Sequence, residues 1–215
     1  MQRISRSKKA DLIESARLPF LQKLALSANR SENHLVLSES FTQPVLEVIK
    51  LFNLAVRQGV FDRYALAGGM AVEYYGAPIN TVDADFLVMF PEISGGLLDP
   101  SLFFDFFRRR GAEASGEYLV LQGLKFQMIP ANRPLDTEAL QAAITVSEKG
   151  TPFSVVTLEH LIALKLQAWR YKDRLHINHL LDSGVILDPA KLAPVLERHD
   201  LIQRWKQFLA ERSAS

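Results

Sequence analysis

The stretch YALAGGMAVEYYGAPINTVDADFLVMF, residues 64–90, decides the fold of this chain. It opens with a short apolar run, residues 64–67, and continues with the glycine pair Gly68-Gly69. A helix-compatible segment, residues 70–75, comes next, and a β-branched and aromatic run, residues 82–90, closes the stretch with two aspartates inside it. This pattern predicts a strand, a glycine turn, a short helix, a loop and a second strand.

The two aspartates of the second strand are the chemical signal. Residues i and i+2 of a strand point the same way, so Asp83 and Asp85 share a face with Cα atoms about 6.6 Å apart. Two carboxylates at this spacing suit a magnesium ion that also binds substrate phosphates. Gly68 and Gly69 let backbone N–H groups approach an anion, and Thr81 adds a hydroxyl. The alternatives are an ordinary glycine turn and a solvated pair of carboxylates.

The pattern Gly68-Gly69, Gly76 and Thr81-x-Asp83-x-Asp85 resembles the minimal nucleotidyltransferase fold, in the branch that contains AbiEii-type toxins and their bacterial relatives. The resemblance extends through TLEHLIALKLQAWRYKDRLHINHLL, residues 157–181, which is similar to the helical region of that family. In all it covers about residues 41–210. The fold that it implies is α/β (α+β), with a small mixed sheet flanked by helices and a mostly helical C-terminal part.

The resemblance implies metal-dependent transfer of a nucleotidyl group from a nucleoside triphosphate to an acceptor hydroxyl. It assigns Mg²⁺ or Mn²⁺ to Asp83 and Asp85, one of which also serves as a base. The acceptor is an RNA such as a tRNA end, a protein side chain or a small molecule, and a role as the toxin of a toxin–antitoxin pair would add an antitoxin partner. The catalytic set is Asp83, Asp85, Lys165 and Asp173. The nucleotide-binding set is Gly68, Gly69, Thr81 and Lys165.

Lys165 also stands out from the residue pattern. Thr157 is placed to cap a helix over residues 158–169, and the helical period puts Lys165 on an apolar stripe with Leu158, Ile162 and Trp169. The alternative is a lysine whose stem is buried and whose charge reaches water.

Asp173 follows eight residues after Lys165. If the helix continues, Asp173 lies about 80° away from Lys165 and therefore at the rim of the site. The alternative role for Asp173 is a salt bridge with Lys172 or Arg174.

Three positions depart from the family pattern. Gln127, on the same strand face as Lys125, stands where a third carboxylate is expected, and a neutral amide is a poorer magnesium ligand. Met70 replaces a serine or threonine after the glycines, and Asn80 replaces an arginine before the threonine. These departures support an alternative in which the protein is a catalytically degenerate nucleotide-binding or partner-binding module.

Composition sets the remaining bounds. The chain has 215 residues, 48% hydrophobic content, a net charge of +1 and no cysteine. Disulfides, thiolate metal sites and a general attraction to nucleic acid are therefore excluded. No apolar run reaches membrane-spanning length and the N-terminus lacks a signal-peptide core, so we expect a cytoplasmic protein without a membrane partner. His176 and His179 are spaced for a metal but lack an evident third ligand, so we expect surface histidines.

The sequence divides into three parts. Residues 1–40 form a basic arm and helix, in which we expect Arg3, Arg6, Lys8 and Lys9 to belong to a solvated tail, with contact to RNA or a partner as the alternative. Residues 41–156 form the expected nucleotidyltransferase-like core, and residues 157–215 a helical C-terminal region.

Overall fold

The structure is a computed structural model that describes residues 41–91 and 100–214. The basic arm at residues 1–40 lies outside the described residues. Within those residues the chain forms eight α-helices and seven β-strands.

The elements follow one another in a mixed order of strands and helices. In chain order they are α1 (Gln43–Arg57), β1 (Arg63–Ala67), α2 (Gly68–Tyr74), β2 (Asp83–Met89), α3 (Pro100–Arg108), β3 (Glu113–Ser115), β4 (Tyr118–Leu121), β5 (Leu124–Pro130), α4 (Pro134–Gln141), β6 (Ile144–Glu148), β7 (Thr151–Val155), α5 (Leu158–Ala168), α6 (Tyr171–Asp182), α7 (Pro189–Arg198) and α8 (Ile202–Ala214).

All seven strands belong to one mixed sheet with the order β3-β4-β5-β2-β1-β7-β6. β1 pairs antiparallel with β2, whereas β2 pairs parallel with β5 and β1 pairs parallel with β7. The two strands of the deciding stretch are therefore the centre of the sheet. The predicted α/β class, a small mixed sheet flanked by helices, is confirmed.

Strand β2 has two chemically different faces because its side chains alternate. Ala84, Phe86 and Val88 are fully buried, and the ring of Phe86 stacks on Phe52 of α1 with centroids 4.0 Å apart. Aromatic burial of this kind supplies much of the free energy that holds a core together. The opposite face carries Asp83 and Asp85, so the core that anchors β2 also fixes where these carboxylates point.

Several element boundaries differ from the prediction. Gly68 and Gly69 form the first turn of α2 instead of a turn before it, and β2 begins at Asp83, one residue after Val82, which is 78% exposed. Strands β4 and β5 form an antiparallel hairpin around Gly123, and the short strand β3, which was not predicted, pairs with β4. The division of the chain at residue 156 stays a prediction.

Candidate active site

The two aspartates of β2 lie on one face of the sheet, as the alternation predicts. In the parallel pairing with β5, Asp85 lies opposite Gln127 and Asp83 lies opposite Lys125. The Thr81 hydroxyl donates a hydrogen bond to Asp83 Oδ1 at 2.9 Å. The carboxylate of Asp83 is thus oriented by Thr81, two residues earlier, and that of Asp85 lies beside Gln127 of the neighbouring strand.

The glycine pair packs directly against these side chains. A Cβ atom added to Gly68 would lie 1.8 Å from Asp85 Oδ2, and one added to Gly69 would lie 2.6 Å from Thr81 Oγ1. Gly68 also has a φ of +62°, a conformation that L-residues other than glycine adopt only with strain. Glycine is therefore required at residue 68 by both the backbone and the carboxylate beside it.

Gln127 faces the carboxylates, which confirms the strand register predicted for it. Its Nε2 donates a hydrogen bond to Asp85 Oδ1 at 2.5 Å. The amide therefore occupies one oxygen of Asp85 and adds no negative charge to the site. Among the described residues, no three histidine, cysteine, aspartate or glutamate side chains are grouped so that they could hold a metal ion.

The donor set still fits one magnesium ion bound together with phosphates. Magnesium is commonly held by one or two carboxylates, with water and substrate phosphates completing its octahedral shell. Asp83 and Asp85 supply that number. The amide of Gln127 binds Oδ1 of Asp85, whereas Oδ2 lies against Gly68 in the place that a Cβ atom would take. The set does not fit two ions held by the protein alone, because the neutral Gln127 stands beside Asp85 where a third carboxylate would be needed.

Lys165 and Asp173 contact each other, which corrects the expected position of Asp173 at the rim. Lys165 Nζ lies 3.5 Å from Asp173 Oδ1, and the exposed fractions of the two residues are 5% and 1%. The expectation failed because the helix does not continue past residue 168. Trp169 adopts a left-handed conformation with a φ of +55°, and a new helix starts after Arg170. This reversal brings Asp173 back toward Lys165.

Arg170 is a site residue that the sequence interpretation missed. Its Nε and Nη2 donate to the two oxygens of Asp173 at 2.7 and 3.2 Å, so the pairing expected with Lys172 or Arg174 is instead made with Arg170 and Lys165. The spacing of Arg170 at the N-cap and Asp173 at the third helical position was the available signal.

The charges in this group shift one another's pKa values. Burial lowers the pKa of Lys165, although the charges of Asp173 and Asp85 oppose that shift. Burial alone would raise the pKa of Asp173, but hydrogen bonds from Arg170 and the charge of Lys165 hold it below its usual range. Asp173 therefore stays ionised, and Lys165 is a cation that is partly desolvated between two carboxylates. The alternative of a lysine that reaches water does not fit its 5% exposure.

These groups meet at one cavity of about 110 Å³. Its floor is apolar, with Leu87 of β2, Ile129 of β5 and residues of α5. Its charged lining consists of Asp85, Arg133, Asp136, Lys165, Arg170 and Asp173. The central sheet and the helices α4, α5 and α6 thus bring together side chains that lie up to 88 residues apart in the chain, from Asp85 to Asp173.

The other two departures from the family pattern have different structural settings. Met70 is 4% exposed and belongs to the hydrophobic core, so its side chain packs and does not face the carboxylates as a phosphate donor would. Asn80 has a φ of +50° and is exposed in the loop before β2.

The histidines of α6 differ from the expectation in part. His179 is exposed, whereas His176 is half-buried and its Nδ1 is buried without a hydrogen-bond partner. Burial and the nearby charge of Lys165 lower the pKa of His176 to about 4. His176 is therefore neutral at physiological pH and is not a surface histidine.

Across the described ranges, none of the helices has the length and apolar character needed to span a bilayer.

Comparison with known proteins gives structural neighbours only. No protein-family model matches the chain, and no curated protein matches it. An antigenic nucleotidyltransferase-like protein from Paracoccidioides brasiliensis is similar with a TM-score of 0.49 and 15% identity, over 66% of this chain and 76% of that one. ANT(2″)-Ia in complex with adenylyl-2″-tobramycin is similar with a TM-score of 0.49 and 16% identity, over 75% of this chain and 98% of that one. The solution structure of the antibiotic-resistance factor ANT(2″)-Ia is similar with a TM-score of 0.47 and 14% identity, over 80% of this chain and 98% of that one.

The structures similar to this chain thus include nucleotidyltransferase-like proteins. Similarity at this level supports no conclusion about activity, which has to be argued from the site of this chain.

Proposed function

We propose that this protein is a metal-dependent nucleotidyltransferase that moves a nucleotidyl group from a nucleoside triphosphate to an acceptor hydroxyl. The observation that carries the proposal is the environment of Asp85. One of its oxygens accepts a hydrogen bond from Gln127, the other lies against Gly68, and it shares a cavity with the buried cation Lys165. Carboxylates beside glycine backbone and a desolvated cation are the parts that phosphoryl-type transfer needs.

Each residue has a role that follows from its position. Asp83 and Asp85 would hold Mg²⁺ or Mn²⁺, which when bound neutralises charge on the phosphates of the substrate. Gly68 and Gly69 would contact the phosphate chain through backbone N–H groups of the first turn of α2, beside Asp85 and Thr81, whose side chains fill the places that Cβ atoms would take.

Lys165 stabilises negative charge that develops on the phosphates, and its effect is large because it lies in an apolar, mostly buried setting. Asp173 acts through Lys165 and Arg170, since it contacts both cations and orients them. Whichever carboxylate of the pair is not fully occupied by the ion accepts the proton of the attacking hydroxyl.

The finer parts of the proposal come from the sequence resemblance. The acceptor is an RNA such as a tRNA end, a protein side chain or a small molecule, and the protein acts in the cytoplasm as the toxin of a toxin–antitoxin pair. Co-expression with the neighbouring open reading frame tests the last point. A toxin is inhibited by its antitoxin, so growth inhibition by the chain alone and recovery with its neighbour is the expected result.

The direct test is incubation of the pure protein with labelled nucleoside triphosphates, magnesium and total RNA. We expect label to appear on an acceptor, and Asp85→Asn to reduce the transfer at least about a hundredfold, in line with losses when charge-stabilising groups are removed. Asp105→Asn is the matched control, because Asp105 is an aspartate on α3 whose side chain is 45% exposed. Transfer that survives Asp85→Asn would contradict the proposed site.

Metal binding can be tested without an acceptor. Without metal, Asp83 and Asp85 repel each other by at most about 2.5 kcal/mol at an effective dielectric near 20. Asp83→Asn should therefore raise the melting temperature in chelator, by about 2–4 °C for each kcal/mol relieved. Magnesium should stabilise the parent but not the variant. The measurement is four melting curves, of parent and variant, each with chelator and with magnesium. A parent whose melting temperature does not change with magnesium would contradict the proposed metal site.

One observation favours a second candidate, a nucleotide-binding module without catalysis. The hydrogen bond from Gln127 takes up an oxygen of Asp85 that a metal ion would use, and among the described residues no third carboxylate completes a metal site. This module would bind a triphosphate and show no transfer to any acceptor in the labelling experiment. Isothermal titration with a nucleoside triphosphate separates it from a protein that does not bind nucleotide at all.

A further inference from the structure

The cavity beside Asp85 is bordered by two arginines that are built in the same way. Arg170 is the N-cap of α6 and pairs through two hydrogen bonds with Asp173, three residues later. Arg133 is the N-cap of α4 and pairs with Asp136, also three residues later, from Nε at 2.7 Å and Nη2 at 3.0 Å. Two helices from different parts of the chain thus present the same Arg-x-x-Asp arrangement to one cavity.

The stability of the fold does not account for the Arg133 pair. The side chain of Arg133 is 58% exposed, whereas that of Asp136 is only 2% exposed. Pairs with an exposed partner contribute little stability, and taking a carboxylate out of water has a substantial cost. The pair instead fixes the plane of the guanidinium group. Nη1 of Arg133 makes no hydrogen bond to any residue in the described part of the chain, so it remains available.

The position of Arg133 defines what it can contact. Leu87 and Ile129 pair across β2 and β5, one step of two residues beyond Asp85 and Gln127. They form the apolar floor between the carboxylates and Arg133. Arg133 follows three residues after the end of β5 and lines the same cavity as Lys165 and Arg170.

We propose that Arg133, oriented by Asp136, binds a phosphate group of a substrate in this cavity. A guanidinium group held by its own carboxylate offers a fixed N–H donor, and arginine is the side chain best suited to phosphate geometry. The volume of about 110 Å³ is far below the roughly 300 Å³ of sites that hold whole small molecules. The cavity therefore takes one phosphate-sized group, while the rest of the substrate lies outside it.

The phosphate has two sources, the triphosphate of the donor and a phosphate on the acceptor. The first measurement titrates inorganic tripolyphosphate into the protein in the presence of chelator. The second titrates inorganic phosphate into the protein saturated with magnesium and a non-hydrolysable nucleoside triphosphate. Weakened binding of tripolyphosphate in Arg133→Gln assigns the donor phosphate, and an effect confined to the second titration assigns the acceptor phosphate.

The variants separate binding from folding. We expect Arg133→Gln to raise the dissociation constant about tenfold or more, because a charge-assisted hydrogen bond is lost. The double variant Arg133→Gln with Asp136→Asn should show the same loss without leaving a buried charge unpaired, and Arg133→Lys should restore part of the affinity. The matched control is Arg108→Gln, since Arg108 is 60% exposed and also pairs with an aspartate three residues away. The control variant should change the dissociation constants of tripolyphosphate and of phosphate by no more than twofold.

Parent-like constants for the double variant in both titrations would overturn the inference and leave Arg133 as a structural residue. The inference rests on the proposed function only for the identity of the substrate, so the two fail separately. Dependence of phosphate binding on Arg133 without any labelled transfer would support the phosphate site and contradict the enzyme. Transfer that requires Asp85 but is unchanged in Arg133→Gln, together with unchanged phosphate binding, would support the enzyme and contradict the phosphate site.

Discussion

Replacement of Gly68 by alanine tests the arrangement around Asp85 directly. The added methyl group would lie 1.8 Å from Asp85 Oδ2, 2.6 Å from its Cγ and 2.7 Å from its Cβ. Rotation of the carboxylate can relieve the first contact but not the last, so the backbone of β1 or β2 has to shift. Because Gly68 has a φ of +62°, the alanine also adopts a strained backbone conformation.

The expected loss of stability has two parts. A left-handed alanine costs about 1–2 kcal/mol. Displacement of Asp85 breaks its hydrogen bond with Gln127, which as a bond to a charged group contributes about 1.5–3 kcal/mol. The sum is about 2.5–5 kcal/mol, which corresponds to a melting temperature lower by about 5–20 °C in a chain of this size.

Gly76→Ala is the matched control for the backbone part. Gly76 has a φ of +88°, and a Cβ atom there would meet no atom within 4 Å. This control should lose only about 1–2 kcal/mol, or about 2–8 °C, and keep its response to magnesium. Thermal melts of parent and both variants, with chelator and with magnesium, give the comparison. Equal melting temperatures for the two variants, with magnesium stabilisation kept in Gly68→Ala, would refute the placement of Asp85 against Gly68.

Three further predictions follow from other contacts. Gln127→Glu keeps the length of the side chain and replaces a hydrogen-bond donor to Asp85 by a negative charge. Thermal melts should therefore show a lower melting temperature in chelator and a larger rise in melting temperature on adding magnesium, and an unchanged rise would contradict this prediction. Lys165→Met keeps the buried stem and removes the charge, so calorimetry should show triphosphate affinity about tenfold or more lower at near-parent stability. A hydrogen bond from Arg198 lowers the pKa of Glu138 from 4.5 to about 2. The unfolded chain therefore binds a proton that the native state does not, and stability should fall from about pH 5 to pH 2. The urea midpoint of Glu138→Gln should fall less steeply with decreasing pH than that of the parent. An equal slope in the two proteins would contradict this prediction.

The fold was largely predictable from local patterns. Apolar runs, glycines and turn residues lie close together in the sequence, and they predicted β1, α2 and β2 to within about two residues. The strand face shared by Asp83, Asp85 and Gln127 followed from the period of two, which a strand imposes wherever it pairs. The strand β3 was not predicted because its three residues are all exposed and show no apolar alternation.

The site was predictable in part. Lys165 was identified because a charge on an apolar stripe needs an explanation, and its 5% exposure agrees with that reasoning. The rim position of Asp173 was wrong because one residue, Trp169, leaves the helical conformation. Propensity does not reveal such a reversal, since packing around a single residue can stabilise a left-handed backbone. The roles of all these residues in catalysis stay predictions.

The family resemblance implied the α/β class, and the sequence by itself determined the order of β1, α2 and β2 along the chain and the common face of the two aspartates. These properties depend on the local alternation and periodicity of side chains, which act over a few residues. Only the tertiary structure placed Asp173 beside Lys165 and brought Arg133 and Arg170 to the cavity that Asp85 lines. Contacts between residues far apart in the chain depend on how helices end and pack against the sheet, and the residues at those ends carry no period from which the packing can be read.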